Sequence, residues 1–225
     1  MNDGLWGLRG LYAALVLLFL VPASSLQAQV REVSGLRADP ALGAIESEAE
    51  RCHECHGADG QGIGPSGGSE GRIAKLAGQS AEYILKQFRD FRDGRRRHDI
   101  MNMMARSVDD EIVVHIAVYY ESQTPMTGSG EGDSPVGRAL FLRGDPARGI
   151  MPCADCHGPE GKGVDGQVTA APRIGGQEWR YLDKQMRDWR SGERTNSPDG
   201  VMNIASKLLS DDEIKYLADY LSGLK

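Results

Sequence analysis

Two copies of the motif Cys-x-x-Cys-His, at residues 52–56 and 153–157, contain all four cysteines of the 225-residue chain. In a c-type haem site the two thiols of such a motif add to the two vinyl groups of one haem, and the adjacent imidazole faces the iron. A zinc site would need two further Cys or His ligands for each motif, and a disulfide or a redox dithiol would leave the paired histidines without a role. The motifs therefore predict two covalently bound haems. The predicted attachment residues are Cys52, Cys55 and His56 in the first copy and Cys153, Cys156 and His157 in the second.

The sequence around these motifs is itself repeated. A shift of 101 residues aligns the two haem motifs, and the same shift aligns Met101-Asn102 with Met202-Asn203. Between these points a shift of 98 aligns Gly78-Gln79, Tyr83, Lys86-Gln87, Gly94 and Arg96 with Gly176-Gln177, Tyr181, Lys184-Gln185, Gly192 and Arg194. The repeat predicts two similar domains that differ in loop length.

Apolar residues in both copies recur with helical spacing. Two sets follow the i, i+4, i+7 pattern of one helix face, namely Ile84, Phe88 and Phe91 in the first copy and Leu182, Met186 and Trp189 in the second. Ser210 and Glu213 predict a capping box at the start of the last helix. No alternating strand pattern of useful length is present. We therefore expect an all-α fold of two tandem domains, residues 29–123 and 135–225, joined by a linker at 124–134.

The amino terminus has the features of an export signal. An apolar run from Leu11 to Val21 follows Arg9, and small residues lead to a predicted cleavage point after Ala28. The run is shorter than the roughly 20 residues that a membrane-spanning helix needs. Residues 1–28 therefore predict a periplasmic protein, which agrees with haem attachment outside the cytoplasm. Retention of the signal as an anchor is the alternative.

The charge of the chain bears on its partners. The formal net charge of -6 belongs to the exported part, because Asp3 and Arg9 cancel within the signal. No broad basic surface is indicated, which argues against nucleic acid as a partner. The run Arg95-Arg96-Arg97 is most simply a solvated face. Its alternatives are a docking patch for an acidic partner and a counter-charge for a haem propionate.

A haem iron bound by a motif histidine has one remaining axial position, and the group that fills it separates electron transfer from catalysis. A methionine thioether is the usual partner in an electron carrier, because it favours ferrous iron. Met202 stands alone in its loop, and the repeat aligns it with Met101. We therefore predict Met101 and Met202 as the sixth ligands. Met104 and His98 are the alternatives in the first domain.

With these features the chain resembles the dihaem class I cytochromes c of the cytochrome c4 family, over nearly the whole length that follows the signal. The resemblance rests on the haem motifs, the Tyr-x-x-Lys-Gln helices at Tyr83 and Tyr181, and the methionine loops. The family implies two adjacent haems with His and Met ligands in a pseudo-twofold arrangement. It also implies a proline carbonyl bonded to each motif histidine. Pro172 matches that proline, whereas the first domain has Ala74 and also lacks the aromatic residue that Phe141 supplies in the second.

Two classes of function follow. The resemblance implies a shuttle without enzymatic activity that takes electrons from a membrane cytochrome complex and delivers them to a terminal oxidase or reductase. The alternatives are an electron-accepting subunit of a flavin-dependent sulfide dehydrogenase and a dihaem oxidoreductase with one open haem site. We favour the carrier, because no acid-base constellation or additional domain indicates an autonomous enzyme. Peripheral association with a membrane and the oligomeric state stay open.

Overall fold

The computed structural model describes residues 30–62, 73–164 and 171–225. The predicted export signal at 1–28 lies outside these ranges, as do parts of the glycine-rich loops that follow the two haem motifs. Within the described ranges no helix has the length and apolar character needed to cross a membrane.

The described residues of the first domain form a short hairpin and five helices. Strands β1 (Arg31–Val33) and β2 (Leu36–Ala38) are antiparallel, and both residues of their connecting turn have positive φ, as a two-residue hairpin favours. The sequence did not predict this hairpin, because three-residue strands carry no readable alternation. The helices are α1 (Pro40–Ala49), α2 (His53–His56), α3 (Ala81–Arg92), α4 (Asp99–Ser107) and α5 (Asp110–Glu121).

The second domain repeats the five helices. They are α6 (Pro135–Arg143), α7 (Ala154–His157), α8 (Trp179–Ser191), α9 (Val201–Lys207) and α10 (Asp211–Gly223). The predicted capping box is present, since the Ser210 hydroxyl accepts from Glu213 N and the Glu213 carboxylate accepts from Ser210 N. The all-α prediction is confirmed, and the hairpin is a small addition to it.

Buried apolar side chains form two separate clusters. The first lies between residues 33 and 118 and includes Leu85 and Val114, both fully buried. The second lies between residues 140 and 221 and includes Phe141 and Ile214, also fully buried. Each half of the described chain therefore has its own hydrophobic core.

In each domain the first and last long helices cross at a glycine. A Cβ on Gly43 would lie 1.9 Å from the carbonyl oxygen of His115, and a Cβ on Gly137 would lie 1.9 Å from that of Tyr216. Both glycines lie within helices, so lack of space rather than backbone conformation excludes a side chain. The close crossing holds the segments that lead into the haem motifs against the closing helices α5 and α10.

The two domains fill the space beside this crossing differently. In the second domain the Phe141 ring packs against Tyr220, with ring centroids 5.7 Å apart. In the first domain Ser47 is buried instead, and its hydroxyl is hydrogen-bonded to the Tyr120 hydroxyl at 2.8 Å. Tyr120 of α5 thus replaces the aromatic ring that α1 lacks, and its fully buried side chain lines an internal cavity.

The segment between the domains, residues 124–134, is bonded to both and is called the strap below. Met126 N donates to the carbonyl of Ala77 in the first domain at 2.9 Å. Gly128 N donates to the carbonyl of Leu224 in the second at 2.7 Å. The linker composition that the sequence shows therefore corresponds to a well-packed connection rather than to a loose tether.

Two buried glutamines join the domains directly. The amide of Gln79 bonds to both backbone groups of Arg173, with its Oε1 3.1 Å from the nitrogen and its Nε2 2.8 Å from the carbonyl oxygen. The amide of Gln177 bonds in the same way to Lys75, at 2.8 Å and 3.0 Å. Both pairs are related by the 98-residue shift of the repeat. The contacts are reciprocal, so the domains face each other about a pseudo-twofold axis.

Candidate haem-binding site

A single cavity of about 1820 Å³ reaches into both domains. Pockets for one small ligand have volumes up to about 1,000 Å³, so this cavity has room for two cofactors. All six residues of the two predicted apolar stripes line it, so the inner faces of α3 and α8 form its walls. The cavity also contacts every predicted attachment residue: Cys52, Cys55, His56, Cys153, Cys156 and His157.

The motif histidines are oriented identically in the two domains. His56 Nδ1 lies 2.8 Å from the carbonyl oxygen of Ala74, and His157 Nδ1 lies 2.8 Å from that of Pro172. A carbonyl only accepts, so Nδ1 carries the proton and Nε2 keeps the lone pair that binds a metal. Replacement of the family's proline by Ala74 therefore leaves this hydrogen bond unchanged.

The environment of the motifs suits a neutral cofactor core. Burial lowers the pKa of His56 and His157, which favours the uncharged imidazole that coordinates iron. Burial raises the pKa of the Cys52 and Cys153 thiols to about 11. Burial therefore acts in the same direction on the histidine and the first cysteine of both motifs.

Glycines after each motif allow the chain to fold tightly beside the cysteines. Gly57 and Gly158 have φ values of +79° and +77°, a conformation that favours glycine. Five residues later the backbone returns, and the nitrogens of Gly62 and Gly163 each donate to the carbonyl of the motif histidine at 2.7 Å. This loop therefore fixes the backbone of the motif histidine in both domains.

The predicted methionines lie on α4 and α9, each held by the asparagine that follows it. Asn102 Nδ2 donates to the carbonyls of Phe91 and Arg96, and Asn203 Nδ2 donates to the equivalent carbonyls of Trp189 and Arg194. Met101 and Met202 both line the cavity. The sequence repeat aligned these asparagines, but it gave no indication that they tie the methionine helices to α3 and α8.

The structure brings the alternative ligands of the first domain to the same wall. Met104 and His98 line the cavity beside Met101, whereas Met103 is 62% exposed and does not. His98 is exposed and caps α4, with its Nδ1 3.4 Å from Met101 N. A cap position uses one ring nitrogen of His98 for the helix, which leaves the thioethers of Met101 and Met104 as the soft donors at this wall.

These residues fit haem better than they fit zinc. Among the described residues no group of three or more His, Cys, Asp or Glu side chains could hold a metal ion together, and zinc would need four ligands per motif. A haem supplies four nitrogens itself and needs only axial ligands, vinyl-reactive thiols and apolar walls. Each half of the cavity offers all three.

Arg96, on the cavity wall, departs from the sequence interpretation of residues 95–97 as a solvated face, and Arg194 of the second domain is buried in the same way. Arg96 and its repeat partner Arg194 are 8% and 5% exposed. Their guanidinium carbons lie 4.6 Å and 4.2 Å from the ring centroids of Phe91 and Trp189. The solvated-face prediction is therefore wrong for Arg96, because the second domain covers it, although Arg97 is exposed.

Each of these guanidiniums bonds across the domain boundary. We call Arg96, Arg194, Tyr83, Tyr181, Gln87 and Gln185 the arginine cluster, and all six line the cavity. Arg96 Nη2 donates to Tyr181 Oη (2.9 Å) and Gln185 Oε1 (2.8 Å), and Arg194 Nη2 donates to Tyr83 Oη (3.1 Å) and Gln87 Oε1 (3.1 Å). The sequence analysis did not identify this cluster. The 98-residue shift, which aligns all three residue pairs, was the available signal.

The arginine cluster is a region of positive potential. Burial raises the pKa of the Tyr181 hydroxyl, but the charges of Arg96 and Arg194 lower it by more, so the net direction is downward. The phenol is thus a good hydrogen-bond donor that faces the cavity.

Comparisons with known proteins agree on one group of relatives. Residues 147–225 match the family model described as cytochrome c. The chain is 36% identical over 184 residues to cytochrome c4 of Pseudomonas aeruginosa. That alignment covers 80% of this chain and 87% of that protein. It is 34% identical over 223 residues to the thiosulfate dehydrogenase electron acceptor of Stutzerimonas stutzeri. That alignment covers 97% of this chain and 94% of that protein.

Solved structures give the same result. Reduced recombinant cytochrome c4 from Pseudomonas stutzeri matches with a TM-score of 0.74 and 32% identity, over 84% of this chain and 100% of that one. A thiosulfate dehydrogenase from Marichromatium purpuratum matches with a TM-score of 0.71 and 30% identity, over 81% of this chain and 40% of that one.

Proposed function

Because this chain belongs to the cytochrome c4 family of dihaem electron-transfer cytochromes, we propose that it carries single electrons in the periplasm between a membrane cytochrome complex and a terminal oxidase or reductase. Its two motifs hold two covalently bound haem c groups. The observation that carries the proposal is the shared cavity, in which two haem sites meet at one domain boundary. An electron that enters at one domain can therefore leave from the other.

The proposed iron ligands are His56 with Met101 and His157 with Met202. When bound, each haem supplies an iron that takes up and releases one electron. The carbonyl bonds to Nδ1 hold each histidine ring in one orientation, so Nε2 keeps its direction in both oxidation states. The apolar walls exclude water, which together with a thioether ligand favours the ferrous state.

The rigid boundary between the domains supports transfer within the molecule. Gln79 and Gln177 bond backbone groups across it, and the strap is bonded to both sides. Because this boundary uses buried, fully paired groups, the spacing of the two haem sites stays constant between encounters with partners. The domains of the carrier, residues 29–123 and 135–225, act in this proposal as one body.

The proposed docking surfaces are the rims of the cavity at α4 and α9, where Ile100, Val201 and Ile204 line the cavity and also reach the surface. Ile100 and Met103 are 56% and 62% exposed, and Val201 and Ile204, at the same repeat positions, are 47% and 63% exposed. Single exposed apolar residues are common, but matched pairs beside both haem sites favour a contact role. Short, partly apolar surfaces of this kind suit transient redox encounters.

The charge beside the two docking surfaces differs. The loop before α4 has exposed Arg95 and Arg97, whereas the equivalent positions before α9 are exposed Glu193 and Thr195. An acidic partner is therefore favoured at the first domain and disfavoured at the second. The difference supports a donor and an acceptor that bind at separate ends.

A second candidate is acceptance of electrons from a thiosulfate-oxidising enzyme. The relative from Stutzerimonas stutzeri described above is named for that role, and it is matched over nearly the whole chain. In this version the enzyme replaces the membrane complex as the donor, and the onward acceptor is unchanged. The candidate differs from the flavin-dependent alternative in requiring no flavoprotein subunit.

The test of axial ligation is the far-red spectrum of the ferric protein, scaled to covalent haem. Two equivalents of the methionine-to-iron charge-transfer band are expected for each chain. Carbon monoxide added to the reduced wild-type protein should bind neither iron. One equivalent of the band together with carbon monoxide binding would contradict the carrier and indicate the open-site oxidoreductase.

The test of partners measures electron flow with defined proteins. Reduced protein should be oxidised by membranes that contain a terminal oxidase, and oxidised protein should be reduced by a purified quinol-oxidising complex. Reduction only by purified thiosulfate dehydrogenase would favour the second candidate. Arg97→Glu should slow the reaction with one partner and Glu193→Arg the reaction with the other, whereas Arg138→Glu, far from α4 in the sequence, serves as the charge control.

A further inference from the structure

The two halves of the cavity differ at matching positions of their domains. Tyr120 of α5 lines the first half, and Leu221 of α10, at the same position of the 101-residue repeat, lines the second. Ser47 and Phe141 differ in the same way, since each lies four residues after the glycine at which its helix crosses the closing helix. The first haem site therefore has two hydroxyl groups where the second has two apolar side chains.

The two hydroxyls form a directed chain of hydrogen bonds. A carbonyl only accepts, so the one hydrogen of the Tyr120 hydroxyl is donated to the carbonyl of Gly57 at 3.3 Å. Ser47 Oγ, 2.8 Å from Tyr120 Oη, then donates to the phenol oxygen. Burial raises the pKa of the Tyr120 hydroxyl, so the phenol keeps its proton. Tyr120 and Ser47 are 0% and 2% exposed, so bulk water does not screen these oriented dipoles.

The bonds that hold the motif histidines do not distinguish the two haem sites. His56 Nδ1 and His157 Nδ1 each lie 2.8 Å from a carbonyl oxygen, and the carbonyl of each histidine accepts from a glycine nitrogen at 2.7 Å. Both irons thus have the same axial histidine geometry. The buried polar pair of Ser47 and Tyr120 is a difference that lies elsewhere on the wall of the first site.

We propose that the Ser47–Tyr120 pair adjusts the reduction potential of the first haem and leaves the second unaffected, because it makes the wall of the first site polar. A ferric haem carries one more positive charge than a ferrous haem, so a polar wall stabilises the ferric state relative to an apolar wall. The Phe141 and Leu221 side chains provide no such stabilisation. The first haem is therefore harder to reduce than it would be beside the apolar pair of the second domain.

Tyr119, the neighbour of Tyr120, separates this role from simple support of the haem motif. Its hydroxyl donates to the carbonyl of Ala58 at 2.6 Å, one residue after the carbonyl that Tyr120 binds. Tyr119 itself does not line the cavity. Tyr119→Phe thus removes a hydrogen bond to the same loop without changing the wall of the haem site.

The experiment measures the midpoint potential of each haem in the dihaem protein, with each value assigned to its domain by the NMR signals of the haem methyl groups. Tyr120→Phe should raise the reduction equilibrium constant of the first haem by at least about threefold, which is about 28 mV for one electron. Ser47→Ala should raise it by at least about twofold, since one hydroxyl of the pair remains. Both variants should leave the second haem within about 1.5-fold, and Tyr119→Phe should leave both haems within that range.

Several results would overturn the proposal. An unchanged or lower potential of the first haem in Tyr120→Phe, with both haems attached, would show that the pair only supports packing. A shift of the same size in Tyr119→Phe would assign the effect to the loop after the motif, and equal shifts of both haems would mean a general change in the protein. If Tyr120→Phe does not fold, Ser47→Ala decides by the same criteria. The proposal rests on the two haem sites, and its test needs no redox partner, so it stands or falls separately from the proposed route of electrons.

Discussion

The side-chain amide of Gln177 pairs with the backbone of Lys75, a residue 102 positions earlier in the chain. Its Oε1 accepts from the Lys75 nitrogen at 2.8 Å, and its Nε2 donates to the Lys75 carbonyl at 3.0 Å. The glutamine thus takes the place that a neighbouring strand would take in a sheet. One side chain therefore supplies hydrogen-bond partners for two backbone groups that have none within a helix.

Gln177→Ala should destabilise the protein by about 1–3 kcal/mol, because two backbone groups of Lys75 lose their partners. Gln79→Ala should have the same effect through Arg173. Urea unfolding, followed by circular dichroism, measures both. Gln123→Ala is the control, since that amide bonds only to the carbonyl of Tyr119 in the preceding helix. Equal losses of stability in all three variants would argue against a special role for Gln79 and Gln177 at the domain boundary.

Met202→Ala should open the second iron to carbon monoxide in the reduced state, while the haem stays covalently attached. The reason is that Met202 is the one methionine of α9, whereas Met151 and Met186, which also line the cavity, lie outside this helix. In the first domain Met101→Ala should have this effect, and Met104→Ala should not. If only Met104→Ala admits carbon monoxide, the ligand assignment of the first haem changes to Met104.

The Asp90→Asn variant should show a pH-dependent loss of stability. Burial raises the pKa of Asp90, but its bonds from Lys86, Arg95 and Asn196 lower it by more, to below its ordinary value of about 3.9. A carboxyl whose pKa is lowered in the fold contributes stability above the unfolded pKa and loses it as the pH falls through the folded pKa. Asp90→Asn should therefore cost about 1.5–3 kcal/mol at neutral pH and less below about pH 4.

Urea titrations of wild type and Asp90→Asn from about pH 7 to about pH 3 check this dependence. Asp93→Asn is the matched control, because Asp93 is half exposed and bonds only to Arg95. A difference between wild type and Asp90→Asn that stays constant across the range would mean that the carboxylate charge is not what stabilises the boundary.

Gly43→Ala should destabilise the first domain by about 1–3 kcal/mol, the usual cost of overpacking. The new Cβ would lie 1.9 Å from the carbonyl oxygen of His115, so α1 and α5 must move apart. Gly137→Ala tests the same crossing in the second domain. Ala41→Gly, at an exposed position of α1, gives the effect of helix propensity alone, about 0.5–1 kcal/mol. Thermal unfolding of the dihaem protein measures the three changes.

The haem attachment residues could be identified from sequence because covalent chemistry fixes their spacing. Cys52, Cys55 and His56 must occupy one turn, whatever surrounds them. The helices could be predicted for a similar reason, since the stripe of Ile84, Phe88 and Phe91 depends only on the period of a helix. These features are local, and the helices lie where they were expected, with the motif residues along the cavity between them.

Features that depend on the other domain could not be predicted. Arg96 belongs to a charged run that resembles a solvated surface, and only the packing of Tyr181 and Gln185 against it makes it buried. The exchange of an aromatic ring for the Ser47–Tyr120 hydrogen bond is also invisible, because it joins residues 73 positions apart. The choice between Met101 and Met104 was left to the repeat, and both side chains indeed reach the cavity wall.

The reciprocal bonds of Gln79 and Gln177 have a consequence for each domain considered on its own. The face that one domain presents contains both a glutamine amide and the backbone groups that such an amide binds. Two copies of one domain would therefore be complementary about a true twofold axis, as in an isologous homodimer. The chain is built like a homodimer whose subunits were fused through the strap and then diverged. Joining them removes the concentration dependence of pairing and lets the two subunits differ, which a symmetric dimer does not allow.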